Sequence, residues 1–347
     1  MDASVFEIIR ANLLAKQRNL AAWLQGTPAA KRSRHLGPAG EGEVHAHLRT
    51  LDAALSQATG QTLGLCTVCR DHVDRNLLEM DYTASVCLDH LSPDERRTLE
   101  DQLELSQVVQ RALLPHQLPS IPGVELAVFS RPAQIVGGDC FDFYQYRDGA
   151  YGLAIADVAD HGIAAGMLMA SVQTALRTLV PQGVSPADVA EQLNRFFCHN
   201  VHFTTFVTLF LGRLEPATHA LTYCNAGHNA PLLWQAGRAA WLAPTGAAIG
   251  LVEDSRAAAE SASLAPGDVL LLYTDGVTEA RNRQAEQFGS DRLAALVREH
   301  TALSAPELVQ ALRQQLHVFA DGQPLADDTT VVACKFDEQP PQTEEGA

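Results

Sequence analysis

The chain has 347 residues, 46 % of them apolar and 19 % charged, with a formal net charge of −16. That balance excludes an intrinsically disordered chain, and the acidic excess argues against nucleic acid as a partner, because phosphate binding needs a basic face. No apolar run reaches the roughly eighteen residues of a spanning helix, so membrane insertion is not expected.

The start, MDASVFEIIRANLL, carries no basic leader ahead of a long hydrophobic stretch, which points to a cytoplasmic protein. Residues 3–24 place Phe6, Ile9, Leu13, Leu20 and Trp23 at helical spacing, and a polar, Gly/Pro-rich linker follows. A second helix, Val44 to Ala58, carries Val44, Leu48, Leu51 and Leu55 on one face and is expected to pair with the first as a hairpin.

Next comes Cys66-x-x-Cys69, then seventeen residues, then Cys87-x-x-His90. This is a four-ligand spacing for one structural Zn2+, with three thiolates and an imidazole. The remaining four cysteines are scattered and read as small buried hydrophobes. The segment from Ala54 to Leu91 resembles the C-terminal zinc finger of the DksA/TraR family, in which the fourth ligand is Cys where this chain has His90.

Ser92-Pro93-Asp94-Glu95 reads as a helix start, with Ser92 as N-cap, Pro at the first position and Glu95 closing a capping box. The helix should run to about Leu114, where prolines 115, 119 and 122 end it. Its apolar residues drift round the surface, which suggests a homodimer contact along one stripe. The expected division is therefore 1–91 helical and zinc-finger domain, 92–118 linker helix, 119–337 main domain and 338–347 disordered tail.

From Val124 to Phe336, strand-like runs (124–129, 151–157, 205–213, 221–225, 269–273 and 330–336) alternate with helix pairs (164–180 with 186–199, and 292–300 with 305–319). Adjacent strands with paired helices between them predict an α+β fold with a mostly antiparallel sheet system. Four acidic motifs stand where strands should end: GGDCFD at 137–142, ADVADHG at 156–162, YTDG at 273–276 and DDTT at 327–330. A single such aspartate is an ordinary turn residue; several carboxylates converging on one point repel one another unless hard divalent cations neutralise them. The Asn225-Ala-Gly-His-Asn motif reads as a turn into a strand at 231–234.

Residues 105–336 resemble the SpoIIE/RsbU group of the metal-dependent protein phosphatase (PPM) superfamily. The resemblance rests on VVQRALLPHQLPSIPGVELAVFSRPAQIVGGDCFD, DVADHGIAAGM, NAGHN, YTDGVTEA and DDTTVV occurring in that order. It implies a β-sandwich flanked by helix pairs and a centre of two Mn2+ or Mg2+ ions. Asp139, Asp157, the Val158 carbonyl, Asp275 and Asp327 would be ligands, with Asp142 and Asp328 beside them. It also implies hydrolysis of a phosphoserine or phosphothreonine by a two-metal activated water, with His161 a candidate acid, on an anti-anti-sigma-factor-type protein. The zinc module would regulate that activity or dock an upstream regulator. Asp160 departs from the group, which usually has Gly there. A non-catalytic scaffold and a zinc-finger transcription regulator are the competing readings.

Overall fold

The computed structural model describes residues 10, 13–14, 17–18, 21, 24–25, 40–59, 64–73, 86–159, 162–200, 206–323 and 325–337. The chain forms two compact units, residues 1–102 and 103–347. Among the described residues no helix is long and apolar enough to cross a membrane.

In the first unit the described residues of 10–25 are helical, and helix α1 spans Gly40–Thr59. Leu13, Leu51 and Ala54 are buried, and Gln17 donates to Asp52, so the two segments are in contact as the apolar spacing requires. Helix α2, Pro93–Leu113, begins in the first unit and ends in the second, to which its residues from Leu103 on belong. Its capping box is in place: the Ser92 amide donates to Glu95 Oε2 at 2.9 Å and the Glu95 amide to Ser92 Oγ at 3.3 Å.

The second unit is a sandwich of two five-stranded antiparallel sheets. One holds β2 (Cys140–Gln145), β3 (Tyr151–Val158), β4 (Val207–Glu215), β5 (Ala220–Ala226) and β8 (Glu260–Ser263), in that order. The other holds β1 (Val124–Arg131), β10 (Thr329–Phe336), β9 (Val269–Tyr273), β6 (Leu232–Gln235) and β7 (Arg238–Trp241). Helices α3 (Ile163–Leu179) and α4 (Pro186–Asn200) cover the first sheet, while α6 (Gly289–Glu299) and α7 (Ala305–Phe319) cover the second. A one-turn helix, α5 (Asp275–Thr278), follows β9.

The two-residue alternation of side chains builds three apolar layers. Leu153 and Ile155 of β3 meet Leu270 and Leu272 of β9 between the sheets, while Ala154, Ala156 and Val158 pack beneath α3 and α4. Val269, Leu271 and Tyr273 turn the other way, under α6 and α7. Strands buried on both faces read as continuous apolar runs, which is why YGLAIAD and VLLLYTD were legible as strands. Three strands escaped the sequence reading. β7 and β8 are short and largely exposed, with no apolar alternation, and β2 is interrupted by Asp142.

Candidate active site and metal centre

Both sheets end their ligand-bearing strands at the same edge. The β2–β3 ladder pairs Cys140 with Ala156, which sets Asp139 and Asp157 opposite each other one step further on. Both belong to the face of the sheet that looks between the layers, like Phe141 and Ile155. In the other sheet Asp275 starts α5 directly after β9, and Asp327 and Asp328 lead into β10.

Hydrogen bonds stitch the two edges together. Thr274 Oγ1 donates to Asp139 Oδ2 at 2.8 Å, and the Thr330 amide donates to Thr274 Oγ1 at 2.9 Å. Asp328 accepts from the Ala133 amide at 2.7 Å through one oxygen and from the Gly138 amide at 2.6 Å through the other. It therefore ties the 133–138 loop to β10. A side chain at Gly137 would collide with the Asp328 carboxylate and one at Gly276 with its backbone carbonyl, so both glycines are required by close approach. From α2, Gln110 clamps Gly137 by donating to its carbonyl at 2.6 Å and accepting from its amide at 3.1 Å.

The charges at this edge oppose one another. Burial, then the neighbouring Asp275 and Asp327, push Asp157 up to about 7. Burial, then Asp327 and Glu279, raise Asp275 to about 6. Asp139 is held well above the ordinary carboxylate range by burial and by the charges of Asp157 and Asp328. Burial also raises Asp328, although the Ala133 and Gly138 amides work against it. Among the described residues no arginine or lysine pairs with any of the five; the ion pairs lie elsewhere. An all-carboxylate set that grades from buried (Asp139, Asp328) through half-buried (Asp157, Asp275) to exposed (Asp327), with no cationic partner among the described residues, fits hard divalent cations, which accept oxygen donors.

Asp142 stands apart from this group. Three positions from Asp139 along an alternating strand, it faces α3, where Arg177 Nε meets it at 2.6 Å and Gln173 Nε2 at 3.1 Å. The same two side chains donate to the Leu113 carbonyl, so Asp142 anchors the end of α2 through α3 and does not stand among the ligand candidates. Val158 is the last residue of β3, directly after Asp157. His161 and Asp160 lie outside the described residues.

Three contributors carried no usable sequence signal: Thr274, Gln110 and Thr208. Thr208 pairs with Asp157 across the β3–β4 ladder and bonds His228 Nδ1 at 2.8 Å. His228 is buried, and that burial lowers its pKa to about 4. Asn225 accepts from the His228 amide and donates to the Leu242 carbonyl, so this motif is the structural turn that its Asn and Gly suggest.

In the first unit Cys66, Cys69, Cys87 and His90 bring their ligand atoms within 4.8 Å of one another, the only such group among the described residues. Cys69 and Cys87 Sγ are 3.8 Å apart, and Cys87 Sγ lies 3.2 Å from His90 Nδ1. Sulfurs about 2.3 Å from one tetrahedral ion stand at close to that first spacing. Backbone amides, led by that of Cys69, lower the Cys66 thiol to about 6.

Two antiparallel sheets between helix pairs, with an aspartate edge, define a PP2C-type protein serine/threonine phosphatase. Residues 147–337 match the family described as Stage II sporulation protein E (SpoIIE), and the chain belongs to that family. Phosphoserine phosphatase RsbU of Bacillus subtilis (strain 168) is 29 % identical over 242 residues, covering 69 % of this chain and 71 % of RsbU. Two further curated relatives are matched over only 41 % and 45 % of their own length. Among solved structures, the SiaA-PP2C domain of Pseudomonas aeruginosa superposes with a TM-score of 0.62 at 24 % identity, covering 70 % of this chain and 98 % of that one. The RsbU and RsbW domains of Rv1364c from Mycobacterium tuberculosis give 0.56 at 28 % identity, covering 66 % and 64 %.

Proposed function

We propose that this chain hydrolyses phosphoserine or phosphothreonine on a regulatory protein of the anti-anti-sigma-factor type. The observation that carries this reading is the convergence of Asp139, Asp157, Asp275 and Asp327 at one sandwich edge with no arginine or lysine paired to them among the described residues. The likeness to RsbU, named a phosphoserine phosphatase, supports the substrate class.

Asp139, Asp157 and Asp275, with Asp327 and the Val158 carbonyl, would hold two Mn2+ or Mg2+ ions. Such a pair supplies Lewis-acid neutralisation of the phosphoryl group and acidifies water. The chain's own residues prepare for this. Thr274 orients Asp139, and Asp328, which accepts from the Ala133 and Gly138 amides, fixes the loop that carries it. Burial and the neighbouring carboxylates push the Cys140 thiol far up, so Cys140 offers no thiolate nucleophile beside the site. His161 is the candidate proton donor to the leaving serine oxygen. The test is Mn2+-dependent phosphate release from p-nitrophenyl phosphate and from a phosphoserine protein, repeated with Asp275→Asn. Absent activity, or activity that the substitution leaves intact, refutes the reading.

A structural Zn2+ on Cys66, Cys69, Cys87 and His90 is part of the same proposal, as the core of a DksA/TraR-like module that regulates the phosphatase or docks its upstream regulator. The 3.8 Å sulfur spacing supports it. Metal analysis of the full chain should find one zinc, lost in Cys66→Ser; a zinc-free folded chain rejects it. Leu105, Val108 and Val109 leave an exposed apolar stripe on α2 that suits a homodimer, and light scattering that reports a monomer at micromolar concentration rejects that part. A cytoplasmic location agrees with these partners.

A further inference from the structure

A groove of about 260 Å3 runs between the end of β1 and helix α7. Arg131, Arg313 and His317 line it together with Gln310, Gln314 and Gln323, and no aspartate or glutamate is among the lining residues. On a chain of net charge −16 this is a local reversal of sign. Such reversals persist where an anion is to be received, because the surrounding field repels it everywhere else. Arg313 is set in place by stacking over the Phe129 ring, 4.5 Å from its centroid. Among the described residues neither arginine forms an ion pair with a carboxylate; Arg313 donates one N–H to Gln310 Oε1 at 3.4 Å, which leaves further guanidinium donors for a ligand.

The groove adjoins the aspartate edge. Arg131 pairs with Thr329 in the β1–β10 ladder, and Leu325, on the groove wall, precedes Asp327 by two residues, at most about 7 Å of extended chain. The groove opens on the helix-covered side of this sheet, and two or three extended residues, about 7–11 Å of chain, are the reach a substrate segment would need from a phosphoserine at the aspartates.

We propose that the groove is the substrate-docking subsite, and that it takes acidic side chains flanking the phosphorylated serine. The proposal rests on the phosphatase reading above and adds a substrate class to it: an acidic phosphopolypeptide segment. The glutamines supply neutral donors for the remaining carboxylate lone pairs, and the two arginines supply charge and bidentate geometry. Docking of this kind changes the specificity between substrates more than it changes the chemistry at phosphorus.

The test compares three phosphate esters on the Mn2+-loaded full chain: a phosphoserine peptide flanked by glutamates, the same peptide flanked by lysines, and p-nitrophenyl phosphate, which has no flanks. The expected result is a kcat/KM at least about fivefold higher for the glutamate-flanked peptide, with the preference inverted in the Arg131→Glu/Arg313→Glu double variant. Arg131→Glu alone, at an exposed strand end, leaves the Phe129 stack intact and should shift the preference part of the way. Equal turnover of the two peptides by the wild type, or a preference that neither variant moves relative to p-nitrophenyl phosphate, overturns the docking proposal while leaving the phosphatase reading standing. Turnover of none of the three overturns both.

Discussion

Replacing Asp157 by Asn should stabilise the metal-free protein at pH 8 while abolishing Mn2+-dependent activity. In the fold Asp157 titrates at about 7 against an ordinary 3.8, because burial and the charges of Asp275 and Asp327 disfavour its ionised form. The folded state therefore binds more protons than the unfolded chain between those values, and stability falls as pH rises through that window. At about 1.4 kcal/mol per pH unit the full penalty above pH 7 comes to about 4 kcal/mol. Part of it is shared with Asp275 and Asp327, so removing one charge should recover roughly half or more. For a unit of this size that corresponds to a rise of about 4–12 °C in Tm. The assay is thermal unfolding of both chains in the same chelator from pH 4 to 8. The advantage of the variant should be largest at pH 8 and vanish near pH 4. Saturating Mn2+ should reverse the order, since only the wild type gains the full binding energy. A variant that is less stable at pH 8 without metal, or a difference that ignores pH, refutes the view of this edge as mutually repelling carboxylates awaiting cations.

Gln110→Ala removes both hydrogen bonds to Gly137, at a cost of about 2 kcal/mol. Because Gly137 leads into Asp139, the Mn2+ concentration for half-maximal activity should rise several-fold, measured by metal titration. His228→Gln should flatten acid sensitivity: His228 stays neutral down to about 4 against an ordinary 6.5, so the wild type loses up to about 3 kcal/mol as pH falls across that interval. Denaturant unfolding at pH 4.5 and 7 should show the smaller pH dependence in the variant. Gly276→Ala would drive a methyl group into the Asp328 backbone carbonyl, which cannot rotate away. It should cost more than 2 kcal/mol or displace Asp275, seen as a lowered Tm or weakened Mn2+ binding in calorimetry.

The fold was legible where burial is two-sided, because β3 and β9 have no polar face to disguise them, and α2 announces itself by a Ser-x-x-Glu capping box that the structure forms. Asp157 and Asp275 stood out in the sequence because each follows an apolar run, where a side chain leaves the core, whereas Asp139 and Asp327 precede strands and were picked out by the family motifs. Asp142 stood beside the ligand positions in the sequence with its role open. One odd step along a strand reverses the face, and that parity set it against Arg177 instead of the cluster. What holds the cluster was largely illegible, since Gln110, Thr274 and Thr208 are ordinary polar residues whose partners lie 27, 135 and 51 positions away. This asymmetry follows from the physics of the site. Ligands must be carboxylates and so betray themselves by type, whereas the groups that orient them need only one donor at the right place, which many residue types supply. The orienting residues are accordingly where variants should alter metal affinity without altering the chemistry, and Gln110 is the most direct of them because it acts only through the backbone of Gly137.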